Sequence, residues 1–374
     1  MTLSNLISDR AKKIEVSGIR KVFDLARSLK EPVNLSIGQP HFDVPEAIKA
    51  AAKDAIDKNR NGYTVTQGIP ELRERLKADL VERYAKPDRD LLVTSGTSGG
   101  LLLAMLAVVN PGDEVIVPDP YFVSYPNLIA LCGGTMVTVD TAPDFRIDPA
   151  KIAAAITPRT KVILFCSPSN PTGVVADTAA MKAVAELARD RGVLLISDEI
   201  YRAFHFDGPA DSPAFHDENV LVVEGFGKTY GITGWRLGWV HGPKALVEEM
   251  TKLQQLTFVC APSIVQWGGL AAMDYNVSGI VEDYRRKREL VCESLDSNFV
   301  FNKPGGAFYL YPKAPWGTGT AFVTAAIQQN LLIIPGSSFS KADTHFRISY
   351  AASDDTLRRG CEILNRLAAA GPGK

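Results

Sequence analysis

Residues 225–239 read GFGKTYGITGWRLGW, and the lysine and arginine in that stretch decide how the rest of the chain is read. The stretch follows NVLVVEG (219–225), an apolar, β-branched run that predicts a buried strand. Lys228 thus leaves a strand end among glycines and aromatic residues, where an ammonium group is poorly hydrated. Desolvation disfavours the charged form, and an amine that is neutral near pH 7 is what Schiff-base chemistry requires. Arg236, eight residues on, can fork two hydrogen bonds onto a phosphate. Together the two point to an aldehyde cofactor that carries a phosphate. A lone loop lysine is ordinarily a solvated surface charge, but Lys228 has Arg236 for company. A nucleotide phosphate loop fails on spacing, because Gly227, Lys228 and Thr229 would need a glycine at the position of Val222.

The composition narrows the class. With 374 residues the chain has room for two domains, and 41 basic against 42 acidic side chains leave a net charge of −1. No basic run suggests a nucleic-acid or membrane partner, so a small-molecule enzyme is the natural class. The longest apolar run, residues 101–109, is too short to span a bilayer. The N-terminus carries Asp9, Arg10, Lys12 and Lys13 and lacks the apolar core of a secretory signal, which predicts a cytoplasmic protein. Five cysteines without a Cys-x-x-Cys pair argue against disulfides and zinc. Five histidines without paired helical spacing give metal catalysis no support.

Outward from the central stretch, a pattern recurs: apolar run, small polar loop, helix. LLVT is followed by SGTSGG (95–100) and an apolar helix, whose free N–H groups make an anion site. KVILFC (161–166) leads into SPSNPTG, where Asn170 offers a donor and an acceptor from a turn. A helix over 178–191 then precedes VLLIS and SDEIY, which place Asp198 at the end of an apolar strand and Tyr201 three residues on. A carboxylate there is costly unless it meets a cation, although capping a following helix is the commoner use. Arg347, alternating with Phe346 and Ile348 on a strand, needs an anionic partner if it faces inward; a surface ion pair is the bland reading. In a parallel sheet covered by helices, the loops at 95–99, 167–173, 198–201 and 225–236 gather at the carboxyl ends of the strands, where α/β proteins bind ligands. The N-terminal segment SGIRKVFDLARSL predicts a short amphipathic helix.

The cofactor-lysine stretch, SPSNPTG, SDEIY and FRISYA occur in the order found in the class I and II aminotransferases, which are pyridoxal-phosphate enzymes of fold type I. The chain resembles that family from about residue 18 to 367. The resemblance implies an α/β fold in which a large domain (41–275) holds a mostly parallel sheet flanked by helices. A smaller α+β domain (276–374) and residues 1–40, an N-terminal arm and part of that smaller domain, complete it. It implies that Lys228 carries pyridoxal 5'-phosphate as a Schiff base and moves the substrate's Cα proton. Asp198 would keep the ring nitrogen protonated, while Tyr201 and Asn170 contact the ring oxygen. Gly96, Thr97, Ser98 and Arg236 would hold the phosphate, Phe122 would stack on the ring, Arg347 and Gly38 would meet the substrate carboxylate, and Asn170 would also contact the substrate. Tyr63 would reach across a homodimer interface to the neighbouring subunit's cofactor.

The implied reaction moves the amino group of an L-amino acid to a 2-oxo acid. A β-lyase or synthase on the same fold stays open, as in principle does a non-catalytic regulator, although the chain has no room for a DNA-binding domain. The segment around Gly38 departs from the family pattern at Gln39 and His41, and Gly225 and Gly227 stand where many relatives have serine. Phosphate binding is then expected to fall more heavily on Arg236 and residues 96–98. No second cation is evident near 98–100 or at Phe122 and Tyr125, so an aromatic or other neutral donor is expected over aspartate, with Arg20 and Lys21 as reserve cations.

Overall fold

The computed structural model describes residues 3–14, 29–85 and 89–372. The helix expected in SGIRKVFDLARSL, together with Arg20 and Lys21, falls on residues outside that set. The strands in chain order are β1 (Val33–Asn34), β2 (Asp90–Ser95), β3 (Glu114–Asp119), β4 (Thr135–Asp140), β5 (Thr160–Cys166) and β6 (Leu194–Asp198). They continue with β7 (Leu221–Gly225), β8 (Leu237–Gly242), β9 (Tyr309–Leu310), β10 (Leu331–Leu332), β11 (Ile334–Pro335) and β12 (Phe346–Ser349). Seven of them form one sheet in the order β2-β8-β7-β6-β5-β3-β4. All of its pairings are parallel except those of β8, which runs antiparallel to both neighbours.

This sheet is apolar on both faces, as a parallel sheet with helices on either side must be. Side chains alternate along β5: Ile163 and Phe165 join the core under the helices Pro70–Tyr84 and Thr178–Arg191. Val162 and Leu164 join the opposite core, under Gly96–Val108 and Lys244–Thr257. The helix Pro70–Tyr84 buries Leu72, Leu76 and Leu80, one side chain every fourth residue, and leaves Glu71, Glu74, Lys77 and Glu82 exposed.

A second core gathers Phe308, Phe322, Phe346, Ile348 and Leu357. It lies between the antiparallel sheet β11-β12-β9 and the helices Ser278–Ser294, Gly319–Gln328 and Asp354–Ala370. The N-terminal β1 pairs with β10, so the start of the chain is stitched to this part of the molecule.

Two local expectations change. The SGTSGG run is not a loop before a helix, because the helix starts at Gly96, immediately after β2. Gly96 makes the turn with a φ of +69°, and a Cβ on Gly100 would come within 2.7 Å of Val240. The helix therefore lies directly on the sheet. Likewise Phe226–Thr229, read as loop, forms a single helical turn that carries Lys228.

Candidate active site

The carboxyl ends of β2, β5, β6 and β7 line one edge of the large sheet, and the antiparallel β8 begins at that same edge. Ser95 faces Leu237 and Gly225 faces Gly238 across the two ladders, so Arg236, the residue before β8, arrives beside Lys228. That edge opens into a cavity of about 250 Å³. Gly38, Thr97, Ser98, Phe122 and Asn170 line it, as do Asp198, Tyr201, Lys228, Arg236 and Arg347. Two expected residues are not in its lining. Gly96 backs it, its α-carbon so close to Arg236 that a Cβ would lie 2.6 Å from Nη2. Tyr63 stands apart, 88% exposed, on a shallower surface hollow with Phe258 and Ser263.

Lys228 is half-buried, and its Nζ donates to the carbonyl oxygen of Gly38. Burial, and then the charges of Arg347 and Arg236, push its ammonium group down to about 8, against a smaller opposing pull from Asp198. Asp198 is buried at the end of β6, and burial raises its carboxyl to about 6. Three features work against that rise: the hydroxyl of Tyr125, donating to Oδ2 at 2.8 Å, the Ile200 N–H, donating to Oδ1 at 3.3 Å, and the charge of Lys228. No helix follows Asp198 to be capped. Tyr125, expected only as an uncharged aromatic near the pocket, is the partner of Asp198; the turn from Phe122 to Tyr125 sets their rings edge to face at 5.5 Å, so one segment supplies the cavity wall and that partner.

Arg347 is 1% exposed, and its partners are neutral. Nη1 donates to Asn170 Oδ1 at 2.9 Å, Nη2 donates to the Ser36 carbonyl at 2.7 Å, and Nε has no partner. Among the described residues no carboxylate lies within ion-pair distance of it. A buried guanidinium of this kind is short of one anion. Tyr309, also unexpected, lines the cavity beneath it.

The corner around Arg236 is built by close approach. Arg236 takes a left-handed φ of 55° and donates to the Thr233 carbonyl at 2.9 Å, and among the described residues no acid pairs with it. It faces the first turn of the helix Gly96–Val108, whose leading N–H groups are free to meet an anion. A Cβ on Gly238 would touch the backbone of Gly96 and Thr97 at 2.8–2.9 Å, and one on Gly225 would meet Ile200 Cδ1 and Thr97 Cγ2 at 2.9 Å. Glycine at 225 thus has a physical reason: Thr97 occupies the space that a side chain there would need.

The model of the family described as aminotransferase class I and II matches residues 30–364. The chain belongs to the class I and II aminotransferases. It is 36% identical to a probable aspartate aminotransferase of Methanocaldococcus jannaschii, covering 97% of this chain and 100% of that one. It is 33% identical to aromatic-amino-acid aminotransferase 2 of Thermococcus litoralis, covering 96% and 98%. Its fold matches that of the aspartate aminotransferase of Thermus thermophilus with maleate, with a TM-score of 0.91, 34% identity and coverage of 96% and 99%. Aminotransferases of this class depend on pyridoxal phosphate, and the reaction is amino-group transfer. The β-lyase or synthase alternative is not favoured by these relatives. The residues present suit the cofactor: a readily neutralised amine, a buried carboxylate in need of a cation, and an arginine without an acid beside a helix N-terminus.

Proposed function

We propose that the cavity at the carboxyl edge of the large sheet is the transamination site, with pyridoxal phosphate on Lys228. The observation that carries this reading is the convergence on one cavity of Asp198 from the end of β6, of Lys228 and Arg236 from the connection between β7 and β8, and of Arg347 from β12, with no acid partner for either arginine among the described residues. Bound pyridoxal phosphate supplies an electron sink for the charge left when the donor's Cα proton departs. Lys228 Nζ removes that proton, a role that suits an amine held near 8. Asp198 holds the ring nitrogen's proton, and the cation it meets there replaces the charge partner that its burial denies it. Arg236, with the backbone of Gly96, Thr97 and Ser98, grips the phosphate; Phe122 covers the ring face. Tyr201 and Asn170 address the ring oxygen. Arg347 binds the donor carboxylate bidentately, as a planar guanidinium does best, and the backbone at Gly38 closes the other side.

The donor we favour is aromatic or otherwise neutral. Among the described residues, the cations in the cavity lining are Lys228, Arg236 and Arg347, and each already has a task. A panel of amino acids with 2-oxoglutarate or pyruvate as acceptor, followed by the absorbance change of the bound cofactor, tests the reading. Turnover with aromatic or medium apolar donors above that with aspartate is the expected result. Aspartate ahead by about tenfold, roughly 1.4 kcal/mol, would require a further cation, with Arg20 and Lys21 the first to replace. No turnover with any amino donor would reject the site.

The proposal includes a homodimer in which Tyr63 completes the neighbouring site, supported by the exposure of its ring to solvent. Mixing inactive Tyr63→Ala and Lys228→Ala subunits should then restore part of the activity, because one site of each mixed dimer keeps both groups. A fully active monomer on sizing would contradict it. The division at 41–275 and 276–374, with 1–40 as an arm and part of the smaller domain, is supported by a second apolar core drawn mostly from residues after 276, which Val33 and Leu35 join and to which Tyr201, Phe204 and Phe206 also contribute. A cytoplasmic location is supported by five free cysteines.

A further inference from the structure

Tyr309 lies on β9, beside the strand that carries Arg347, with Tyr309 opposite Ser349 in the ladder. It is wholly buried, and both of its ends are engaged. Its hydroxyl is 2.7 Å from the hydroxyl of Tyr201. Its ring lies under the guanidinium of Arg347, 4.5 Å from the centroid, while Phe339 flanks the same group at 4.9 Å. The hydroxyl also explains Gly38, since a Cβ there would come within 2.6 Å of it. One side chain therefore touches the proposed ring-oxygen tyrosine, the proposed carboxylate arginine and the backbone glycine that faces Lys228.

We propose that Tyr309 is a positioning residue for transamination, its hydroxyl fixing that of Tyr201 and its ring seating Arg347. The inference rests on the cofactor and substrate roles proposed above. When Tyr201 donates its only hydroxyl proton toward the cofactor's ring oxygen, its oxygen is left to accept, and Tyr309 is the donor in place. A chain of two hydroxyls polarises the outer one and makes it the stronger donor. The ring works on a different partner. An aromatic face offers a desolvated guanidinium stabilisation without neutralising it, and so leaves its charge free for a carboxylate.

The two functions separate by substitution. Tyr309→Phe removes the hydroxyl and keeps the ring; Tyr309→Leu removes both. For the holoenzyme, the pH midpoint of the cofactor's visible absorbance should rise in Tyr309→Phe by roughly 0.5 to 1 unit, the span of one neutral hydrogen bond. The KM for the best donor should stay within about twofold of wild type in that variant. In Tyr309→Leu the midpoint should rise similarly and the KM should also increase about tenfold, as expected for losing a desolvated cation–π contact. Should the leucine variant not fold, judged by thermal unfolding, Tyr309→Met replaces it with more of the volume kept. An unmoved midpoint in Tyr309→Phe overturns the role of the hydroxyl, and an unmoved KM in the ringless variant overturns the role of the ring. A wild-type protein that shows no visible band with added pyridoxal phosphate overturns the cofactor reading itself, and this inference with it.

Discussion

Lys228→Ala is expected to abolish turnover, lowering the rate by at least about four powers of ten, because on the roles proposed here one substitution removes both the covalent anchor and the proton-transfer base. Lys228 is the only lysine in the cavity lining among the described residues, and three influences hold it in the reactive range. Burial removes water from the amine, and Arg347 and Arg236 repel its charge. Other lysines on the surface lack that combination. Borohydride reduction of the wild-type holoenzyme, followed by peptide mapping, should place the pyridoxyl label on the peptide containing Lys228, and the alanine variant should carry none. A label on any other lysine would overturn the assignment.

Asp198→Asn should reduce turnover by about a hundredfold or more, corresponding to about 3 kcal/mol lost at the developing carbanion. An amide cannot hold the ring nitrogen protonated. The same substitution should have the opposite sign for stability of the cofactor-free protein. The folded carboxyl titrates at about 6 against an ordinary value of 3.8, chiefly because it is buried. Between those two values the folded protein holds a proton that the unfolded chain has released. Stability therefore falls as pH rises through that window, and the whole loss is present above pH 6. Asparagine does not titrate and can still accept from Tyr125. Cofactor-free Asp198→Asn should thus be more stable than cofactor-free wild type at pH 7 by an amount on the order of 3 kcal/mol, with the difference vanishing below about pH 3.8. Denaturant unfolding at several pH values measures it. Equal stability at pH 7 together with near wild-type turnover would remove Asp198 from the centre of the mechanism.

Much of this was legible in the sequence because the large sheet is regular. Where strands alternate with helices, each strand end sits at one edge, and Lys228, Asp198, Asn170 and Thr97 could be assigned to a common site from chain order alone. Arg236 joins them through its nearness to Lys228 in sequence; the residues of β8, LGWVHG, carry no sign that the strand reverses direction, which is what brings Arg236 to the same edge of the sheet. Tyr309, in GGAFYLYP (305–312), carries no sign of its role for a related reason: its contacts depend on the pairing of β9 with β12. A signal was available in Tyr125, three residues after Phe122 in a turn-forming segment, which puts both on one side. Gly225 was seen as a missing serine; only the packing reveals Thr97 in its place.

The hydrogen bonds of Arg347 set the order in which the site can come into being. Lys228 and Arg236 belong to one short hairpin connection between β7 and β8, and a chain can close such a loop soon after it is made. Arg347 reaches Asn170 across 177 residues of sequence and Ser36 across 311. Contacts of that separation form late, since the entropy of closing so long a loop has to be met before the contact can contribute. During synthesis the lysine, the phosphate corner and Asp198 can all be in place while the strand bearing Arg347 is still inside the ribosome. On the roles proposed for these residues, the groups that would take the cofactor are assembled from nearer stretches of chain than the arginine that would take the donor.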